Sequence, residues 1–128
     1  MEKLINGIHH VCIKCVTESE FEKTKDFYGK VLGLELKRDW GSGVMFDTGN
    51  SYIEIIHNAK ENLPQGVIRH IAFRTDNADA CIDEVKKAGY KVIMEPGDIN
   101  IASVPVYPVR VAFCVGPMGE EIEFFTEK

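Results

Sequence analysis

The sequence predicts an α+β fold built from two copies of one module, each a strand, a helix and three further strands. Two repeats predict the duplication: IHHVCIK at 8–14 returns as IRHIAFR at 68–74, and YIEII at 52–56 returns as EIEFF at 121–125. A third observation is that the patterns between these repeats follow the same order in both halves. We therefore expect one domain over residues 1–128, with modules at about 5–60 and about 66–127.

The first module begins with alternating, β-branched residues at 8–15, which predict a strand. Thr17 and Glu20 have the spacing of a capping box and indicate the start of a helix. Gly33 follows the apolar stripe of that helix and is typical of a helix end. Three short strands complete the module, separated by glycine or asparagine turns: LELKRD, GVMFDT and SYIEIIH.

The second module repeats this order. A strand at 68–75 is followed by Asp76 or Asn77, either of which can cap a helix that Gly89 closes. The segment YKVIME is a further strand. Residues 96–108 contain three prolines, which cannot donate to a central ladder, so we expect a loop or an edge segment there. The last two strands, at 109–115 and 120–126, are joined by the turn GPMG as a hairpin.

Composition excludes several classes of function. With 128 residues, 45% of them hydrophobic, the chain can bury a real core. A formal charge of −5 argues against a nucleic-acid-binding surface, which needs clustered Lys and Arg. No apolar run approaches the roughly 20 residues of a membrane-spanning helix. We expect a cytoplasmic protein with a small-molecule substrate and neither nucleic acid nor membrane as a partner.

The four cysteines are predicted to be reduced thiols. Cys12 and Cys15 form a CxxC, but residues three apart on a strand point to opposite faces, so both sulfurs can hardly bind one ion. Cys81 and Cys114 lie among apolar neighbours, where a free cysteine is commonly a small buried hydrophobe.

Each repeat offers one histidine near its start and one glutamate near its end. A single glutamate on a strand usually faces solvent, and a single histidine is usually a hydrogen-bonded core residue. Here, however, His10 matches His70 and Glu54 matches Glu123, all in β-branched or aromatic runs where a lone charge is costly to bury. Two imidazoles and two carboxylates at equivalent positions suggest one divalent metal held between two modules. Mixed N/O donors suit Ni, Co or Zn, and also Mn or Fe(II).

Strand parity separates these residues from two other histidines. It places Cys12 and Lys14 on the face of His10, and Ala72 and Arg74 on the face of His70. His9 takes the opposite face and should meet the helix, and His57 opposes Glu54. We interpret both as structural.

Five segments carry a family resemblance: HHVCIK, FYGKVLGLEL, YIEII, RHIAFRT and GPMGEEIEFF. Together they resemble the vicinal oxygen chelate (VOC) superfamily, which comprises glyoxalases, bleomycin resistance proteins and dioxygenases, and most closely metal-dependent glyoxalase I, lactoylglutathione lyase. The most specific segment is FYGKVLGL, at the family's distance behind His10. In the final turn, Gly116 stands where the family commonly has aspartate, and Met118 replaces a frequent aspartate or asparagine.

The resemblance implies a glyoxalase-like fold, with two βαβββ modules forming an open barrel around a metal site. It implies His10, Glu54, His70 and Glu123 as metal ligands. Glu123 is the expected catalytic base, with Glu54 as its counterpart on the other face of the intermediate. Short relatives combine ligands from two subunits, so the resemblance also implies a homodimer.

The implied reaction converts the hemithioacetal of methylglyoxal and a thiol into a 2-hydroxyacyl thioester through an enediolate, by a lyase or isomerase chemistry. Glyoxalase I relatives hold a glutathione carboxylate with an arginine four residues after the first ligand, and Lys14 stands there in this chain. Lysine lacks the planar two-pronged donor of arginine. Asn58 matches a substrate-contacting asparagine of the family, and Arg74 is a further candidate for substrate binding.

Two alternatives to a glyoxalase remain. One is another enzyme of the superfamily: an acyl-CoA epimerase, a fosfomycin-type transferase or a dioxygenase, of which the last usually needs two histidines and only one glutamate. The other is a non-catalytic module that binds a small molecule or an antibiotic and holds no metal.

Overall fold

The computed structural model describes residues 4, 7–66 and 68–128, and it divides into two compact units, Met1–Asn62 and Leu63–Lys128. The predicted start of the first module near residue 5 lies outside the described residues, as does residue 67 in the second module. Each unit contains one helix and one four-stranded sheet, in the same order along the chain. The two predicted modules are therefore present, while their union in one domain stays a prediction.

The first unit has its first and last strands side by side. The sheet order is β1-β4-β3-β2, with β1 parallel to β4 and the other neighbours antiparallel. The sequence repeats at the two ends of the module are thus brought together in space. The elements of this unit are β1 (His10–Cys15), α1 (Glu18–Asp26), β2 (Glu35–Asp39), β3 (Gly43–Asp47) and β4 (Tyr52–His57).

Helix α1 begins as predicted. The Thr17 hydroxyl accepts a hydrogen bond from the Glu20 amide, and the Glu20 carboxylate accepts one from the Thr17 amide, which completes the capping box. Gly33 has φ of 72°, the left-handed conformation expected past a helix end. The sequence did not predict that α1 continues into a π-helical turn, Phe27–Val31.

That π-helical turn contains a glycine with a packing role. A Cβ on Gly29 would lie 2.9 Å from Cε1 of Phe46, closer than carbon atoms normally pack. The absent side chain therefore lets the Phe46 ring of β3 approach the helical backbone, which explains the glycine inside the segment FYGKVLGL.

The second unit has the same topology. Its sheet order is β5-β8-β7-β6, with β5 parallel to β8. Asn77, one of the two predicted caps, begins the helix, since its Oδ1 accepts a hydrogen bond from the Ala80 amide at 3.0 Å. The elements are β5 (His70–Arg74), α2 (Ala78–Lys87), β6 (Val92–Ile101), β7 (Tyr107–Val115) and β8 (Glu121–Glu127).

Residues 96–108 were predicted to form a loop or an edge segment, and part of this stretch is an edge strand. Strand β6 lies at the edge of its sheet and runs through Pro96, where its register against β7 shifts between Met94 and Gly97. Proline has no amide proton and cannot donate a hydrogen bond to a neighbouring strand. At a bulge in an edge strand no such hydrogen bond is required, so Pro96 is tolerated there. Residues 102–106 have no regular structure, and β7 starts at Tyr107 rather than at 109.

In each unit one face of the sheet is buried and the other is partly exposed. The buried face includes Ile53 and Ile55 in β4, and Ile122 and Phe124 in β8. Burying a large aliphatic or aromatic side chain contributes about 1.5–3 kcal/mol, so these positions fix the register. A slip of one residue would exchange Glu54 with a core isoleucine. No helix among residues 4, 7–66 and 68–128 is long and apolar enough to cross a membrane.

Candidate metal site

The first unit brings His10 and Glu54 together across the parallel pair β1–β4. In this register His10 is opposite Tyr52, and Glu54 is two residues further along its strand, opposite Cys12. Both side chains therefore extend from the same sheet face, and Nε2 of His10 lies 3.5 Å from Oε1 of Glu54. The two predicted ligands of this module are thus neighbours.

The second unit repeats this arrangement. His70 is opposite Glu121, and Glu123 again lies two residues beyond, with its Oε1 3.3 Å from Nε2 of His70. The exposure is also repeated: the side chains of His10 and Glu54 are 39% and 14% exposed, and those of His70 and Glu123 are 41% and 13% exposed. The two units therefore present the same half-site, one imidazole nitrogen beside one carboxylate oxygen.

The donors of each half-site fit a divalent transition metal. Nitrogen and oxygen ligands lie about 2.0–2.2 Å from such an ion, so neighbouring ligands are about 3.0 Å apart in an octahedral shell and about 3.4 Å apart in a tetrahedral one. The observed separations of 3.5 and 3.3 Å are close to these values. Within the described part of either unit, no group of three or more His, Cys, Asp or Glu side chains could hold a metal ion, so each unit alone supplies two donors.

His9 belongs to this site, contrary to the prediction that it would meet the helix. Strand β1 begins only at His10, so period-two parity does not extend to His9. Its Nδ1 lies 3.0 Å from Nδ1 of His10, and its ring packs on Tyr52 with centroids 5.3 Å apart. Nδ1 of His10 is thereby engaged by His9, while Nε2 faces Glu54. A histidine with one nitrogen held by a neighbour presents the other nitrogen in a fixed orientation.

Cys12 distinguishes the first half-site from the second. Cys12 is exposed, but local desolvation, first, and then a hydrogen bond of its thiol with the Glu54 carboxylate raise the pKa of the thiol to about 11. The thiol therefore stays protonated near neutral pH and serves as a donor to Glu54. The equivalent position opposite Glu123 is Ala72, which has no such group. Cys15 is buried on the other sheet face, as predicted, and none of the four cysteines, all of which lie in the described residues, forms a disulfide.

The Glu123 side chain is mostly shielded from solvent. Burial raises the pKa of its carboxyl group, and the neighbouring His70 opposes that shift. The ring of Phe113, which is opposite Glu123 on β7, packs edge-on against His70 with centroids 5.5 Å apart. The second half-site therefore combines a carboxylate of increased basicity with an apolar wall.

The three predicted substrate-binding residues lie on, or directly after, the strands that carry the half-sites. Lys14 is opposite Ile56 on the exposed face of β1 and shares that face with His10. Asn58 is exposed and follows the last residue of β4 directly. Arg74 extends from the His70 face of β5, where its Nη2 lies 3.4 Å from Oε1 of Glu127. No measurement of substrate contact tests these assignments, so they stay predictions.

His57 is structural, as predicted. Its Nε2 lies 3.1 Å from the carbonyl oxygen of Val16, its Nδ1 lies 3.1 Å from the Glu18 carboxylate, and its ring stacks on Phe21. It therefore connects β4 to the start of α1 on the face away from Glu54.

The turn before β8 shows how the chain replaces the family's usual aspartate. The Glu120 carboxylate accepts a hydrogen bond from the Met118 amide at 2.8 Å. A Cβ on Gly116 would lie 2.5 Å from Cδ of Glu120. The carboxylate that hydrogen-bonds within this turn is thus that of Glu120, at the end of the turn, and the glycine at 116 leaves room for it.

The chain thus contains two βαβββ modules, each of which presents a histidine beside a glutamate on one sheet face. Residues 7–124 match the model of the Glyoxalase/Bleomycin resistance protein/Dioxygenase superfamily. The chain belongs to this superfamily.

Relatives and solved structures agree with that membership. Lactoylglutathione lyase of Neisseria meningitidis serogroup A is 31% identical over 119 residues, which cover 84% of this chain and 83% of the relative. Mitochondrial methylmalonyl-CoA epimerase of Mus musculus is 24% identical, covering 91% of this chain and 72% of the epimerase. The crystal structure of a proposed glyoxalase family protein from Bacillus anthracis superposes with a TM-score of 0.74 at 28% identity, over 100% of both chains.

Proposed function

We propose that the protein is a metal-dependent lyase or isomerase of the glyoxalase I type, acting on the hemithioacetal of methylglyoxal and a thiol. The observation that carries the proposal is the duplicated His–Glu half-site, with separations of 3.5 and 3.3 Å and nearly equal exposure. The similarity to a lactoylglutathione lyase supports the substrate class.

Four side chains would hold the metal: His10 and Glu54 from one half-site, and His70 and Glu123 from the other. Two neutral imidazoles and two carboxylates balance the charge of a dication. Nickel, cobalt and zinc fit this donor set best, and manganese and iron also fit it. When bound, such an ion supplies Lewis-acid stabilisation of negative charge on two adjacent substrate oxygens. In a homodimer, each complete site would combine half-sites from two subunits.

Glu123 is the proposed base. It removes the C–H proton next to sulfur and returns it to the neighbouring carbon, while a hydroxyl proton moves to the other oxygen. The hemithioacetal becomes a 2-hydroxyacyl thioester without net oxidation or reduction. Burial raises the pKa of Glu123, which makes it a stronger base than an exposed carboxylate. Glu54, which accepts a hydrogen bond from Cys12, would act from the other side of the substrate.

The test is formation of the thioester from methylglyoxal and a panel of low-molecular-weight thiols, with protein loaded with nickel, cobalt, zinc or manganese. The proposal predicts turnover with at least one thiol in the metal-loaded protein and its loss after chelation. Stoichiometric metal without turnover for any thiol would contradict the proposed reaction.

An acyl-CoA epimerase is the second candidate, and the similarity to methylmalonyl-CoA epimerase favours it over the remaining alternatives. Epimerisation also requires removal of a proton beside a thioester and its return to the opposite face. Two glutamates at equivalent positions, Glu54 and Glu123, could serve the two faces. Solvent deuterium incorporation at the α-carbon of a 2-methyl-branched acyl-CoA, with no activity on hemithioacetals, would identify this reaction.

A further inference from the structure

A β-bulge in β2 turns Arg38 onto the same sheet face as Glu54. Leu36 pairs with Phe46 and Arg38 pairs with Met45, so Lys37 is the extra residue on β2. Opposed residues of an antiparallel pair share a face, and Met45 in turn pairs with Glu54. Without the bulge, Lys37 would stand opposite Met45 in place of the arginine.

The guanidinium of Arg38 is held against an aromatic ring of the site. Its Cζ lies 5.4 Å from the centroid of Tyr52, and the Tyr52 ring also packs on His9. A cation over an aromatic face is attracted to the ring, and the N–H groups of a guanidinium held in this way stay available to a planar anion. The Tyr52 ring therefore lies in contact with both Arg38 and His9.

No acidic side chain in the described part of the chain forms an ion pair with Arg38. Asp47, which is opposite Tyr52 on β3, is occupied elsewhere. Its Oδ1 accepts a hydrogen bond from the Gly49 amide at 2.6 Å, and its Oδ2 lies 4.0 Å from Nζ of Lys37. A positioned and exposed guanidinium without a carboxylate partner is a suitable receptor for a ligand carboxylate.

Trp40 adds an apolar platform to this face. A Cβ on Gly43 would lie 2.5 Å from Cε2 of the indole, so the ring rests directly on the glycine backbone. Gly43 is opposite Ile56, which shares its sheet face with Glu54. The indole is 47% exposed, and Trp40 is the single tryptophan of the chain.

We propose that Arg38 binds a carboxylate carried by the thiol arm of the substrate, with Trp40 packing on the stem of that arm. This specificity role rests on the proposed function. Strand β2 is two strands from β4, about 10 Å across the sheet. That is about the length of an extended tripeptide, so a peptide thiol bound beside Glu54 can reach Arg38. Lys14 on β1 flanks Glu54 from the opposite side, and the two cations therefore address different parts of a ligand.

Trp40 fluorescence reports directly on this surface. The probes are S-methylglutathione and its carboxylate-blocked diethyl ester, titrated into the metal-loaded protein. We expect the acid to bind more tightly than the ester, and Arg38→Met to weaken binding of the acid by about 10-fold to 100-fold while the ester changes little. Arg38→Lys keeps the charge but lacks the two-pronged donor, so its affinity for the acid should lie between those of the wild type and Arg38→Met. Lys37→Met removes a charge one residue away and should leave both dissociation constants within about twofold.

Three results would overturn the inference: no saturable quenching by millimolar S-methylglutathione, equal weakening of acid and ester by Arg38→Met, or an equal effect of Lys37→Met. Kinetics separate this inference from the proposed function. If the wild type turns over a hemithioacetal, Arg38→Met should raise KM for carboxylated thiols and leave kcat unchanged. If Arg38→Met turns over the substrate with an unchanged KM, Arg38 has no role in binding, but the proposed reaction still stands. Charge-selective binding without turnover for any thiol would remove the reaction and keep the anion site.

Discussion

Oε1 of Glu123 lies 3.3 Å from Nε2 of His70, and burial raises the pKa of this glutamate even though the histidine opposes the shift. Glu121, on the same face of β8 but two residues earlier, instead accepts a hydrogen bond from Gln65 at 2.9 Å. Two carboxylates of one strand face thus have different environments, and of the two only Glu123 is paired with a histidine.

This difference predicts different effects of removing each charge. Glu123→Gln should lower kcat by about 10²-fold to 10⁴-fold, because the amide cannot take up the substrate proton. Glu121→Gln makes the same chemical change outside the half-site and should alter kcat by about twofold or less. The measurement is steady-state thioester formation by both variants in an excess of the same metal, which keeps a weakened site occupied. Equal losses in the two variants would contradict the assignment of Glu123 as the base.

His9 is predicted to support metal binding through His10. Because Nδ1 of His9 lies 3.0 Å from Nδ1 of His10, His9→Ala removes the group that orients the proposed ligand. Loss of such a partner typically weakens metal affinity by about 10-fold to 100-fold. Competition with a fluorescent chelator measures the change. His57→Asn, a change on the opposite sheet face, is the matched control and should affect thermal stability but not metal affinity.

The sequence contained the main features of the half-sites because they depend on local rules. Period-two alternation placed His10 opposite in direction to Val11, and Glu54 opposite to Ile53 and Ile55, and the burial of those isoleucines confirms it. Internal repetition then indicated that the histidine near the start of each module and the glutamate near its end belong to one site. The parallel pairing of β1 with β4 is a non-local feature that no residue pattern states, and the sequence did not predict it.

Features that depend on a partner strand were not predictable. The run LELKRD indicates a strand, but which of Lys37 and Arg38 faces Glu54 depends on a bulge that forms only against β3. The π-helical turn at Phe27–Val31 contacts the Phe46 ring of β3 at Gly29, and that contact is also one that the local sequence does not specify. His9 was misassigned because the strand starts at His10, two residues later than the predicted start at residue 8.

Gly29 provides a test of that packing. Gly29→Ala places a methyl group 2.9 Å from Phe46 and should lower the free energy of unfolding by about 1–3 kcal/mol, despite the better helix propensity of alanine. Combining it with Phe46→Leu should give less than the sum of the two losses, because the smaller side chain relieves the contact. Urea denaturation measures both. The control is Gly97→Ala, whose new carbon would meet Met94 at an ordinary 3.7 Å.

Arg110 predicts a pH dependence of stability. Its guanidinium lies 2.7 Å from Asp79 and 3.2 Å from Asp98, and hydrogen bonds from Arg110, and for Asp98 first from Lys128, lower the pKa of both carboxyls. The unfolded chain then binds protons at a higher pH than the folded one. The stabilising contribution is complete above the ordinary aspartate pKa of about 3.9 and is lost as the pH falls below it.

Arg110→Gln should therefore reduce the loss of thermal stability between about pH 5 and pH 2. Arg69→Gln is the matched control, because Arg69 contacts the uncharged Gln65 amide at 3.4 Å. A profile for Arg110→Gln as steep as that of the control would show that this ion-pair network does not govern acid sensitivity.

The most direct test is the metal content of the wild type and of four single variants, His10→Ala, Glu54→Gln, His70→Ala and Glu123→Gln, after loading with nickel and gel filtration. Two half-sites that together hold one cation predict one ion per chain in the wild type and a substantial loss in every variant that remains folded by circular dichroism. Retention of one ion per chain in all four folded variants, or no retained ion in the wild type, would contradict the account.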